Sequence, residues 1–254
     1  MAFDGSCVAA LIHELNTKLK DGRISKIVQS DKDDLQLTVK KERDTYRLLI
    51  SVNPSLPLIY LSDENRQAPL NAPAFCMLLR KHLSSGRIIG ITQPSMERII
   101  DIEVEHYNDM GDLCRKVLTV ELMGKHSNII FRDGVKILDS IRHVSAAVSS
   151  VREVLPGREY FIPFSGEKAD PFSMDEADFG KVFADNAALS AAKALYCGIT
   201  GLSPELAQEV LSRAGFDSDR PAGSFNSSEI SSVYSIFAQI MKNISEGDFA
   251  PAIY

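Results

Sequence analysis

The sequence predicts an α+β unit followed by an all-α unit. Three observations carry this. Val8, Leu11, Ile12, Leu15 and Leu19 recur at helical spacing at the start. They give way to short alternating runs such as Leu35-Gln36-Leu37-Thr38-Val39, the period of a half-buried strand. Turn-forming clusters separate these runs, which suits hairpins better than the long crossovers of a parallel sheet. Beyond residue 175 the apolar patterns are all helical.

The elements follow in order. Asp4 suits the N-cap of the first helix, where a short carboxylate accepts from exposed N–H groups, and Gly22 suits its end. Strands are expected at residues 23–29, 35–39, 46–52 and 58–61, with turn or loop material at 31–34, 63–67 and 69–73. A second helix covers 74–83, with Pro73 placed for its first turn and Phe75, Leu78, Leu79 and Leu83 on one face. Further strands are expected at 87–93, 98–105, 117–122, 128–131 and 136–141, with hairpin turns at 124–127 and 132–134. A polar linker at 164–175 precedes helices at 175–186, 187–196, 203–214 and 227–245. The expected domains are residues 1–168 and 174–254. No internal repeat, heptad run or low-complexity tract is apparent.

Composition narrows the function classes. With 254 residues, 44% of them apolar and 24% charged, the chain has globular proportions and can bury a core without staples. Cys7, Cys76, Cys114 and Cys197 are scattered in apolar surroundings without paired spacing, so neither a disulfide framework nor a zinc site is expected. No secretory signal is expected at the start, and no run approaches the ~20 apolar residues of a membrane span. The expectation is a cytoplasmic protein without a membrane partner. Residues 1–158 carry 22 basic and 20 acidic residues, a net of +2, and residues 159–254 carry 6 and 14, a net of −8. Local basic patches therefore belong to the first part.

Catalytic signatures are missing: no GxGxxG, no phosphate-loop motif, no GxSxG and no HExxH. The five histidines show no metal-ligand spacing. No catalytic residue, metal or cofactor is expected. Polar residues do gather at element ends: Asp4-Gly5, Arg80-Lys81-His82, Glu97-Arg98 and Gly124-Lys125-His126-Ser127-Asn128. Cations and polar groups so placed suit RNA phosphates, base edges and ribose hydroxyls. An acid beside an arginine can steady its fork or accept from a base amine. Each also has a plain structural reading, namely helix cap, solvated charge, surface ion pair or ordinary turn.

Several stretches resemble the N-terminal region of the NFACT family, which includes bacterial RqcH, also called fibronectin-binding protein A, and eukaryotic NEMF. They are Met1-Ala2-Phe3-Asp4-Gly5; Gly22-Arg23-Ile24 with Lys26-Ile27; Ala74-Phe75-Cys76-Met77-Leu78-Leu79-Arg80-Lys81-His82-Leu83; Glu121-Leu122-Met123-Gly124-Lys125-His126-Ser127-Asn128-Ile129-Ile130; and Val154-Leu155-Pro156-Gly157 with Tyr160. The resemblance implies a formamidopyrimidine-DNA-glycosylase-like N-terminal β-sandwich with flanking helices, followed by an all-α helix-hairpin-helix domain. The hairpin falls at Gly198-Ile199-Thr200-Gly201-Leu202-Ser203-Pro204. Glycosylase chemistry is not implied. Ala2 and Phe3 stand where those enzymes carry proline and glutamate, and their zinc finger is absent.

The resemblance implies that Asp4, Glu97 and Arg98 bind tRNA, with Arg80, Lys81, Lys125 and His126 as possible RNA-contacting or supporting residues. Glu97 departs from a family aspartate, and Lys125 stands where arginine is frequent. The implied function is ribosome-associated quality control without covalent chemistry of its own. Its partners would be the large ribosomal subunit obstructed by peptidyl-tRNA and alanyl-tRNA, in support of template-independent alanine tailing. The alternatives are a fibronectin-binding surface adhesin and a catalytically inactive glycosylase-like nucleic-acid binder. Family members continue into a coiled coil and an RNA-binding domain, so the chain is expected to be the front part of a longer protein.

Overall fold

Asp4 precedes helix α1 (Gly5–Leu19), which leads into four strands, β1 (Arg23–Gln29), β2 (Asp34–Lys41), β3 (Asp44–Ser51) and β4 (Leu58–Leu61). Helix α2 (Ala74–Leu83) opens a second series, β5 (Arg87–Thr92), β6 (Ile99–Tyr107), β7 (Leu113–Glu121), β8 (Asn128–Asp133) and β9 (Lys136–Ser140). Helices α3 (Glu176–Asp185), α4 (Ala191–Gly198), α5 (Pro204–Arg213) and α6 (Ser227–Glu246) follow. This computed structural model describes residues 3–163 and 168–250. Ala2, part of the expected linker and the last four residues lie outside them.

By its contacts the chain divides into two units. The first comprises residues 1–3, 11–94 and 99–163, and the second residues 4–10, 95–98 and 164–254. The start of α1 and the turn before β6 thus group with the C-terminal helices.

In the first unit the strands form one antiparallel order, β4-β3-β2-β1-β5-β6-β7-β8-β9. Its middle is narrow, because β1 and β5 pair at one position, Arg23↔Arg87. The order is thus two leaves joined at a seam. The leaves close on one another. Asp33, in the β1–β2 turn, pairs with Arg142, just past β9, at 2.6 Å. In a flat sheet β1 and β9 would be five strands apart, roughly 24 Å. Helix α2 touches both leaves: Arg80 Nε donates to the Ile27 carbonyl of β1 at 2.9 Å, while the His82 ring lies against Phe131 of β8 and His106 of β6. The buried set is aliphatic, including Ile24, Leu37, Val39, Leu48, Ile102, Val104 and Leu118.

The expectation of no internal repeat is corrected by the seam. Leu19 to Gln29 and Leu83 to Gln93 match at six of eleven positions, and the two copies meet head to head. Ile24 N–H donates to the Gly86 carbonyl and Ile88 N–H to the Gly22 carbonyl, both at 2.9 Å. Asp21 N–H donates to Ile88 and Ser85 N–H to Ile24, both at 2.8 Å. Asp21 and Ser85 share a positive φ, 69° and 64°. Each copy then carries a bulge at the same place, between Ile24 and Lys26 and between Ile88 and Gly90. The repeat escapes a reading by periodicity because divergent hairpins follow each copy.

The strap after β9 is held by a buried network. Glu121, fully buried, accepts from Arg152 and, at 3.0 Å, from the Tyr160 hydroxyl. The guanidinium groups of Arg132 and Arg152 lie over the Tyr160 ring at 5.1 and 5.5 Å. Burial and the neighbouring Glu121 push the Tyr160 hydroxyl well above its ordinary range, so it stays a donor. Glu121 and Tyr160, two residues of the family-like stretches, thus have internal structural partners.

In the second unit Phe179, Phe183, Leu195, Leu211, Val233 and Phe237 form the core, together with Met96 from the turn before β6. All four helices have side-chain caps: Asp175 for α3, Ser190 for α4, Ser203 for α5, and Asn226 with Glu229 in a reciprocal capping box for α6.

Candidate functional site

Asp4 uses both carboxylate oxygens. Oδ1 accepts from Cys7 N–H at 2.9 Å and from the Ser6 hydroxyl at 2.8 Å, capping α1. Oδ2 accepts from the Ser203 hydroxyl at 2.7 Å. Ser203 Oγ in turn accepts from Leu206 N–H at 3.1 Å, capping α5. The two helix starts are thus tied through one carboxylate.

The next residue brings in the turn before β6. Gly5 N–H donates to the Gly201 carbonyl at 2.9 Å. A Cβ on Gly5 would overlap the Met96 carbonyl oxygen, and one on Gly201 would overlap both that oxygen and the Met96 Cβ. Gly201 also has φ +80°, a conformation that favours glycine. Three backbone segments, at Gly5, Met96 and Gly201, therefore pack at van der Waals contact, which only glycine at two of them permits.

Met96 is the anchor of its turn, with no exposed surface. Ser95, at φ +48°, donates its hydroxyl to Asp170 Oδ1 at 3.0 Å, and the same oxygen accepts from Phe172 N–H. The half-buried pair Glu97-Arg98 follows directly on Met96. In the second unit the backbone at Asp4-Gly5 and the backbone at Met96-Glu97-Arg98 therefore meet at Gly201. Of the residues that frame this contact, the sequence points to Gly201 and Ser203 only as part of the hairpin and its helix cap, and it does not point to Ser95 and Met96. A lone apolar residue in a turn was the frame's signal, along with a glycine two residues before a serine cap.

The supporting candidates belong to the first unit. Arg80 is half-buried, and its Nε is spent on the Ile27 carbonyl. Lys81 is exposed. Lys125 and His126 are exposed on a 3-10 turn, Gly124–His126, that replaces the expected plain hairpin turn. Gly124 supplies φ +57°. Buried Ser127 accepts from Met123 N–H at 2.9 Å, and buried Asn128 donates to the Arg142 carbonyl at 2.9 Å while accepting from Ile129 N–H. In this stretch the glycine, serine and asparagine build the turn, while the lysine and histidine are what it displays.

His82 departs from its ordinary pKa. Burial, then the neighbouring His106 and then Lys81 and Lys116, hold it low, so the ring is neutral at physiological pH. Among the described residues, no group of three or more His, Cys, Asp or Glu side chains is placed to hold a metal ion, and no helix is long and apolar enough to cross a membrane.

The chain matches the model of NFACT N-terminal and middle domains over residues 4–254, and it belongs to the NFACT family. It is 36% identical over 218 residues to the Rqc2 homolog RqcH of Bacillus subtilis, covering 85% of this chain and 38% of that protein. The chain thus spans well under half the length of that relative. Two solved structures are similar. One is the N-terminal domain of fibronectin-binding protein PavA from Streptococcus pneumoniae, with 34% identity, TM-score 0.74, and coverage of 82% of this chain and 78% of that one. The other is the fibrinogen binding protein from Staphylococcus aureus, with 29% identity, TM-score 0.80, and coverage of 99% and 84%.

Proposed function

We propose that this chain is the tRNA- and ribosome-binding front part of an RqcH-type ribosome quality-control factor. In this reading the full protein works in the cytoplasm, binds a large subunit obstructed by peptidyl-tRNA, recruits alanyl-tRNA and supports template-independent alanine tailing. The ribosome makes the peptide bond; the protein selects and positions. Asp4, Glu97 and Arg98 contact the tRNA, at its anticodon arm. Exposed Lys81, Lys125 and His126 assist through backbone contacts, and Arg80 supports from within.

The observation that carries the reading is the backbone contact that brings Gly5, next to Asp4, and Met96, next to Glu97-Arg98, together at Gly201. An acid at a helix start and an acid–guanidinium pair in a neighbouring turn suit base edges and phosphate. The identity with RqcH of Bacillus subtilis supports it independently. The test is Asp4→Asn and Arg98→Ala in the full-length protein, read by alanine tailing of a stalled reporter and by sequencing the tRNAs that co-sediment with large subunits. Loss of tailing and of bound tRNA, with the variants still folded at the assay temperature by circular dichroism, supports the reading. Unchanged tailing overturns it.

A second reading draws on the names of the two similar structures, a fibronectin-binding and a fibrinogen-binding protein. It makes this protein a surface adhesin. Retained tailing in the same variants, with fibronectin capture lost, favours that reading.

A further inference from the structure

The head-to-head repeat supplies an internal control for reading surface charge. Equivalent positions on the two leaves have the same backbone, bulge and register, so a difference between them reflects side chains. On the second leaf the outward row is balanced. Arg87 pairs with Glu105 across the strands, at 2.9 Å, and Arg115 lies near both Glu103 and Glu105.

On the first leaf the same row has lost its acids. Arg23 faces Lys40, where Arg87 faces Glu105. Lys26 faces Thr38, where Gly90 faces Glu103. Thr38 then faces Arg47, and Lys40 faces Thr45. The bulge at Ser25 turns Lys26 onto the face of Arg23. The acceptors of these cations are neutral groups. Arg23 donates to the Ser85 carbonyl, Lys26 to the Asn65 side chain and Arg47 to the Asp63 carbonyl. Among the described residues none of the four forms an ion pair with a carboxylate.

Like charges directly opposite on a sheet destabilise it, so Arg23 against Lys40 costs stability that the second leaf recovers with Glu105. We propose that the first-leaf face of Arg23, Lys26, Lys40 and Arg47 binds the sugar–phosphate backbone of RNA. Four cations in a grid of strand spacing meet successive phosphates, and the hydroxyls of Thr38 and Thr45 between them suit phosphate oxygens and ribose hydroxyls. Within the row the side chains are cationic or hydroxyl, and Tyr60, opposite Leu49 on the same face, is its one exposed aromatic neighbour on β4. These residues are distinct from those assigned to tRNA in the proposed function. In the family-like stretch Gly22-Arg23-Ile24 with Lys26-Ile27, whose Gly22 and Ile24 build the seam, the exposed Arg23 and Lys26 thereby acquire a role.

The test uses the full-length protein with fluorescently labelled bulk transfer RNA, titrated across a salt series. Lys26→Glu with Lys40→Glu is expected to weaken binding about tenfold or more and to make the log–log salt slope shallower by about two, one for each lost phosphate contact. Lys26→Arg with Lys40→Arg is expected to retain both within about twofold. Arg115→Glu, on the equivalent row of the second leaf, is expected to change the slope by less than half as much. Circular dichroism melts accompany each variant, and Lys26→Gln with Lys40→Gln gives a milder pair if charge reversal prevents folding. An unchanged slope in a folded neutralised pair overturns the proposal. So does a loss confined to phosphatidylserine vesicles or polyglutamate, with RNA binding intact.

Discussion

Asp4 shows how one carboxylate can serve a fold and still be available to a partner. Its two oxygens cap α1 and hold Ser203, so its removal weakens two helix starts together. Asparagine caps almost as well as aspartate. The Ser203 hydroxyl, however, loses its charged acceptor, so Asp4→Asn is expected to lower stability by about 1 kcal/mol, whereas Ser203→Ala, which loses the α5 cap as well, should cost roughly 2 kcal/mol. Ser203→Thr should restore most of that; equal melting temperatures for the alanine and threonine variants would remove Ser203 from the frame. The cap was legible in the sequence because capping is local. The Ser203 bond was not, because its partners lie 199 residues apart. His82 gives a second prediction. Its folded pKa is depressed, so the unfolded chain binds more protons just below the ordinary histidine pKa of about 6.5. Stability is full above that pH and falls as the solution is acidified through the folded value. His82→Gln should flatten the melting-temperature profile between about pH 7 and 5; a profile as steep as the parent's would assign the dependence to another group.

At the scale of elements the repeat makes its own prediction. A Cβ on Gly22 would overlap a Val39 methyl and crowd the Leu19 carbonyl; on Gly86 it would overlap a Val104 methyl and crowd the Leu83 carbonyl. Overpacking of this kind costs roughly 1–3 kcal/mol. Gly22→Ala and Gly86→Ala should therefore be destabilising by nearly equal amounts in urea unfolding. A neutral result at one and a large loss at the other would break the equivalence. Most strands and helices were legible because their period, turn residues and caps are short-range signals. The margins were not: β7 begins at Leu113, four residues before its expected start, because pairing with β6 continues past the alternating segment. Strand order was also beyond the sequence. Nothing local says that β1 meets β5, and only the recurrence of Gly-Arg-Ile points there. The candidate site divides the same way. The polar residues could be nominated from their place at element ends, but Met96 read as an apolar residue in a turn, and its burial among helices about 80 or more residues further on left no local trace.

At the scale of the whole molecule, the charge split between residues 1–158 and 159–254 was visible from composition. The closure of the leaves was not. Closure depends on groups that meet across the first unit, and Asp33 with Arg142 is the contact that tests it most directly. The pair is largely enclosed, with 12% and 24% of the side chains exposed, so removing either partner leaves a poorly solvated charge. Arg142 also donates to the Ser127 carbonyl and accepts from Asn128 through its own backbone, which ties the clasp to the turn displaying Lys125 and His126. Arg142→Met should cost about 2 kcal/mol, and Asp33→Asn somewhat less because the arginine keeps its carbonyl partner. The double variant should cost less than the sum by about 1 kcal/mol, the signature of groups in direct contact. Strict additivity would mean that the β1–β2 turn and the segment after β9 do not clasp one another, and that the Lys125-His126 turn is held without them. If the coupling is present, hydrogen exchange at Ser127 and Asn128 should rise in Arg142→Met ahead of exchange at β2 and β3. The order follows from which hydrogen bonds depend on the clasp and which lie within the strand ladder.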